Sequence, residues 1–195
     1  MGGCLRNFIM ITVICTLSAC IDPPRSPYVD VRDMVSRIDE LQSTAEQGSA
    51  EDQYNLGMRY EKALPKDHRE AVRWYRMAAT QQHVGAFYRL CVLSDIGHGM
   101  PQDYQEALRW CRLAAGQGHG PAMFLIATYY VKARGVPKDV VQAYRWYNLA
   151  AANGHEDGVK WRDRLALNMT PTQIAQAQFL ARNWKPKVYH SVQEQ

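Results

Sequence analysis

The sequence predicts an all-α fold, an α-solenoid of helix-turn-helix repeats closed by a capping helix at each end. Two observations carry this reading. The strings EAVRWYRMAA (70–79), EALRWCRLAA (106–115) and QAYRWYNLAA (142–151) recur 36 residues apart, in register with Trp74, Trp110 and Trp146, Pro65, Pro101 and Pro137, and Asp67, Asp103 and Asp139. Within each string the apolar residues fall at i, i+3, i+4, i+7 and i+8: Ala71, Trp74, Tyr75, Ala78 and Ala79 in the first, Ala107, Trp110, Cys111, Ala114 and Ala115 in the second, and Ala143, Trp146, Tyr147, Ala150 and Ala151 in the third. That spacing lines one face of an α-helix. A unit of this length cannot bury its apolar face alone, so neighbouring units stack and share one continuous core.

At the amino end, residues 1–19 read as an export signal. Arg6 precedes an apolar run from Phe8 to Leu17, too short for a permanent membrane-spanning helix. The run ends in Leu17-Ser18-Ala19-Cys20, which resembles the bacterial lipobox. By that resemblance Cys20 becomes the first mature residue and carries acyl chains, each methylene contributing about 0.8 kcal/mol to membrane anchoring. Ile21 is not the aspartate that holds lipoproteins at the inner membrane in enteric bacteria. The expected location is therefore the cell envelope, at the outer membrane and facing the periplasm. Residues 20–30 form a short tether, with Pro23, Pro24 and Pro27 keeping the backbone extended.

The remaining elements follow in order. Val31, Met34, Val35, Ile38, Leu41 and Ala45 mark an amphipathic N-terminal capping helix over 31–46. Three units follow at 47–80, 81–116 and 117–152, each made of two helices. First helices centre on Leu56-Gly57, Leu90-Cys91 and Ile126-Ala127, and end at glycine and proline, as at Gly97, Gly99 and Pro101 or at Gly135 and Pro137. The first unit has a shorter turn, Ala63-Leu64-Pro65. The aspartate after each proline is placed to cap the second helix. A C-terminal half-unit and cap occupy 153–184, where Thr170-Pro171-Thr172-Gln173 reads as a capping box with proline in the first helical position. Residues 185–195 form a tail.

The strings QGSAEDQYNLGMRY (47–60) and QGHGPAMFLIATYY (117–130), each followed by a proline turn and an RWY-type helix, resemble the Sel-one-like repeat, a relative of the tetratricopeptide repeat. The segment 162–184 looks like the cap of bacterial members. This resemblance implies a non-catalytic adaptor for protein or peptide partners. The second unit departs from the family pattern, with Cys91 for glycine, Ser94 for tyrosine and Cys111 for tyrosine.

The mature chain holds 176 of the 195 residues, and loss of Arg6 takes the formal charge from +4 to +3. So slight an excess, with no basic run, gives no reason to expect nucleic acid. Cys91 and Cys111 lie on either side of the second turn and can meet across antiparallel helices, as a disulfide or as two buried thiols. His83, His119 and His155 recur at the 36-residue spacing. Equivalent positions on stacked hairpins are about a helix diameter (~10 Å) apart, too far to share a metal ion, so no metal or cofactor is expected.

No hydrolase or phosphate-loop motif occurs, and most aromatics are assigned to packing. Offsets −1, +3 and +6 from each first-helix Leu or Ile give Asn55, Arg59 and Lys62, then Arg89, Leu93 and Ile96, then Leu125, Tyr129 and Lys132. This stripe is either a partner-binding groove with an apolar middle and cationic rims, or a set of half-buried side chains covering the backbone. An adaptor, a self-associating envelope protein and a cell-wall or β-lactam hydrolase stand as competing functions, in that order.

Overall fold

The structure, a computed structural model, describes residues 45, 48–63 and 65–186. The signal, Cys20, the tether, all of the N-terminal capping helix except Ala45, and tail residues 187–195 lie outside the described residues. Among the described residues eight helices follow one another: α1 (Ala50–Lys62), α2 (His68–Thr80), α3 (Val84–Ile96), α4 (Tyr104–Gly116), α5 (Gly120–Lys132), α6 (Val140–Ala152), α7 (Glu156–Ala166) and α8 (Pro171–Arg182). Antiparallel hairpins α1/α2, α3/α4 and α5/α6 stack side by side, and α7 and α8 both close against α6. Among the described residues there is no strand. The fold is an α-solenoid.

Local side-chain chemistry caps the start of most of these helices. Oδ1 of Asp67, Asp103 and Asp139 accepts hydrogen bonds from the second and third amides that follow, capping α2, α4 and α6. The backbone N–H of each of these aspartates donates back to the first helix, to the carbonyls of Tyr60, Ser94 and Tyr130, and so closes the hairpin turn. Ser49 and Asp52 form a capping box on α1, as Thr170 and Gln173 do on α8. Each such cap satisfies amide donors that a helix start leaves without partners.

Within the first hairpin a small residue faces a large one. A Cβ on Gly57 would lie 2.7 Å from the ring of Tyr75, so only glycine lets α1 and α2 approach this closely. Between units the close approaches are made by backbone. Gly99, at φ +74°, sits where a Cβ would come within 2.2 Å of the His68 carbonyl oxygen at the start of α2. Gly135, at φ +67°, makes the equivalent approach to Tyr104 at the start of α4. Each turn thus seats on the second helix of the unit before it.

The three repeated tryptophans occupy successive layers. Trp74 packs with Ala45 and Leu56, Trp110 stacks on Phe87 with ring centroids 6.0 Å apart, and Trp146 meets Trp184 edge-on at 6.0 Å. Burying an indole removes roughly 200 Å² from water, about 5 kcal/mol before entropy is charged against it. The alanines beside each tryptophan are buried too, save half-buried Ala151, which gives bulk a small surface to interlock with.

Candidate functional site

The first-helix stripe does not form a groove. Leu93 and Tyr129, the intended apolar middle, are 0% and 1% exposed. Tyr129 turns back into the preceding unit, its hydroxyl 3.8 Å from Cys91 Sγ and its ring 6.5 Å from that of Tyr104. Burial accordingly pushes the Tyr129 hydroxyl pKa up. Arg89 also reaches backward, forming a two-pronged ion pair with Glu61, which accepts a third bond from the Tyr75 hydroxyl at 2.7 Å. Leu125 is half-buried against the core.

In the second and third units the stripe is therefore largely the face turned toward the preceding unit. Asn55, Arg59 and Lys62 are exposed in the first unit, and of the remainder only Ile96 and Lys132 are open to solvent. The sequence template assigned one inward face to each first helix. A hairpin inside a stack has two, one for its own second helix and one for the neighbouring unit.

Cys91 and Cys111 are joined as a disulfide, with Cα atoms 5.3 Å apart and both residues fully buried. The bridge occupies the slot filled by Gly57 and Tyr75 in the first unit and by Ala127 and Tyr147 in the third. His83 and His119 cap α3 and α5, Nδ1 accepting from the Ala86 and Ala122 amides at 3.1 and 3.2 Å. Burial lowers the pKa of His119, in keeping with a neutral ring that accepts. His83 and His155 also stack on Tyr54 and Phe124, and His119 packs at a tilt on Tyr88, with centroids 4.3–4.6 Å apart. Each histidine thus touches the first helix of the previous unit rather than another histidine. Among the described residues no three His, Cys, Asp or Glu side chains gather as a metal site would need.

A concavity lies where the last turn of α4, the middle of α6 and the end of α8 meet. It is a cleft of about 370 Å³ between the Trp146 and Trp184 rings, bordered by Arg112, Arg145 and Lys185. The Arg145 guanidinium lies 5.2 Å from the Trp146 ring and donates to Gln142 Oε1 at 3.0 Å. Arg112 donates to the Tyr130 hydroxyl at 3.4 Å. Sequence reasoning passed over this place because it placed Trp146 wholly in the core and treated Trp184 as the end of a cap. The one available signal was a glutamine at 142 where the two earlier units have Glu70 and Glu106.

A family model described as the Sel1 repeat matches residues 50–83, 86–119 and 120–155. Among solved structures, a protective antigen present in uropathogenic Escherichia coli strains and displaying an SLR fold is 33% identical, with a TM-score of 0.70. That match covers 74% of this chain and 32% of the antigen, so the chain spans about a third of the antigen's length. A Sel1 repeat protein from Oxalobacter formigenes is 34% identical, with a TM-score of 0.57, the match covering 68% of this chain and 98% of that one. No curated protein matches the chain. Three consecutive hairpins with aspartate caps and layered tryptophans, matched by the same family model three times over, establish that the chain belongs to the Sel1 repeat family.

Proposed function

We propose that the protein is a scaffold for protein–protein interaction, held to a bacterial envelope membrane through lipidated Cys20 and facing the periplasm. Sel1 repeats are interaction modules rather than catalytic ones, and membership of that family supports the adaptor reading over a hydrolase. The observation that carries it is the distribution of the aromatic residues. Trp74 and Trp110 are built into separate layers of a stack, which leaves the chemistry available for recognition at the α4/α6/α8 cleft. Anchoring rests on the Leu17-Ser18-Ala19-Cys20 motif and the proline tether behind it.

Photo-crosslinking in intact cells, with the crosslinker placed in turn at exposed positions around the solenoid, tests the scaffold. Discrete crosslinked species are the expected result, and a chain that crosslinks nowhere refutes the reading. Cys20→Ser tests the anchor separately: the protein should move from the membrane to the soluble fraction, and an unchanged distribution refutes lipidation.

Self-association is a second reading with an observation of its own. At the carboxyl end Val159, Trp161, Leu167 and Phe179 are exposed. In the preceding unit the residue equivalent to Val159, Met123, is fully buried. Light scattering of the delipidated protein separates this reading from a monomeric adaptor.

A further inference from the structure

The charges around the cleft follow the repeat until the third unit and then break from it. In the first unit Glu70 pairs with Arg73 at 2.9 Å. One unit later Glu106 receives Arg76 at 3.6 Å and the Trp110 indole N–H at 3.1 Å. The next position in this series is 142, and it holds glutamine. Arg112, 36 residues after Arg76, and Arg145, three after Gln142, are the arginines that a glutamate there would neutralise. With Gln142 in place no glutamate stands at that position beside them. Among the described residues neither Arg112, Arg145 nor Lys185 has a carboxylate partner.

The vacancy in the charge pattern coincides with the cleft. Arg145 Nε is buried and has no hydrogen-bond partner, an arrangement that costs free energy unless something completes it. A guanidinium offers donors in a planar fork matched to a carboxylate, and two such forks beside a lysine can hold one firmly where water is partly excluded. The walls are aromatic: Trp146 is 7% exposed, and Trp184 stands edge-on to it. Aromatic rings and arginine, gathered in a pocket with little acid, make a surface suited to anchoring a partner's apolar side chain beside its charge.

We infer that the α4/α6/α8 cleft binds an acidic segment of a partner protein, an aspartate or glutamate side chain taking the place that Glu70 and Glu106 hold in the earlier units while an adjoining apolar or aromatic side chain rests on Trp184. This deepens the scaffold reading and depends on it. The peptide carboxylate supplies the missing partner for Arg112 and Arg145, and Lys185 covers it from the rim.

Gln142→Glu is the decisive variant, because it installs the carboxylate internally at a position where two sibling units already carry it. The intact protein, purified in detergent, is titrated calorimetrically with an amidated synthetic peptide containing Asp-Phe-Asp. The same peptide with Asn-Phe-Asn and anionic phosphatidylglycerol vesicles serve as comparisons. Expected results are binding of the Asp-Phe-Asp peptide that weakens with added salt, at least about tenfold weaker binding of the Asn-Phe-Asn peptide, and a similar loss in Gln142→Glu with unchanged helicity and melting. Arg145→Gln should lose the peptide as well. Equal binding of the two peptides, no binding of either, or full binding by Gln142→Glu overturns the inference. Vesicle binding that Gln142→Glu abolishes, without peptide binding, overturns it in favour of a lipid headgroup. If cellular crosslinks form away from the cleft and ignore Gln142→Glu, the scaffold stands and this site falls. If no crosslink forms anywhere, the scaffold itself fails.

Discussion

Replacing Gly99 with alanine tests whether each turn is seated on the unit before it, and Gly154 provides a matched control. Both glycines are left-handed, at φ +74° and +80°, a conformation that costs an alanine about 1 kcal/mol. Their surroundings differ. A Cβ at 154 meets nothing within 4 Å, whereas at 99 it would lie 2.2 Å from the His68 carbonyl oxygen and 2.9 Å from the Arg69 amide nitrogen. Those atoms belong to the first turn of α2, so relief requires shifting the start of a capped helix, an overpacking cost of about 1–3 kcal/mol. Gly154→Ala should therefore lose about 1 kcal/mol and Gly99→Ala about 3 kcal/mol. Urea unfolding followed by helical circular dichroism reads both. If the two variants agree within about 0.5 kcal/mol, the backbone conformation accounts for everything and the contact between units contributes nothing.

Three further outcomes follow from the same geometry. Denatured, unreduced protein should show no free thiol at positions 91 and 111, and reduction should cost about 3 kcal/mol, the loop-entropy value for a cross-link spanning about 20 residues; two titratable thiols in thiol counting would end this. Asp103→Ala removes the acceptor for the Gln105 and Glu106 amides and should destabilise by about 1 kcal/mol in thermal melts, with Asp103→Asn recovering most of it. His119 has its pKa lowered by burial below the ordinary 6.5, so the unfolded chain takes up the proton first. Its contribution is complete above pH 6.5 and declines as the pH falls through that value. His119→Asn keeps a capping acceptor that does not titrate, so its stability should decline less steeply in acid; an identical slope in wild type and variant would show that His119 is not responsible.

A repeat protein is legible from its sequence only up to a point, because contacts such as that of Gly99 with His68 join separate units. Helix positions are local matters. Asp67, Asp103 and Asp139 announce three helix starts by their own side-chain chemistry, and Thr170-Pro171 announces a fourth. The alternation of small and large residues across a hairpin is nearly as local. Cys91 and Cys111 could therefore be brought face to face by counting outward from Gly99, though whether they are bonded is a matter for the structure.

Stacking is where such counting stops. The first-helix stripe from Asn55 to Lys132 looked free because a single hairpin does not need it, and Leu93 and Tyr129 are buried because the adjacent hairpin does. The histidines are a milder case. Their 36-residue recurrence is visible in the chain, but their packing on Tyr54, Tyr88 and Phe124 comes from residues 29 to 31 positions earlier, a separation no helical period suggests.

By itself, then, the sequence determined the helices, their caps, their pairing into hairpins and the order of the units, since each depends on residues within one turn or one hairpin of each other. Tertiary structure decided which faces remain open. It placed Arg112 of one unit beside Arg145 and Trp146 of the next and brought Trp184 over both, making a cleft out of residues that belong to three separate helical segments. Exposure is a property of the assembled stack, because a side chain's surroundings are set by every unit that approaches it.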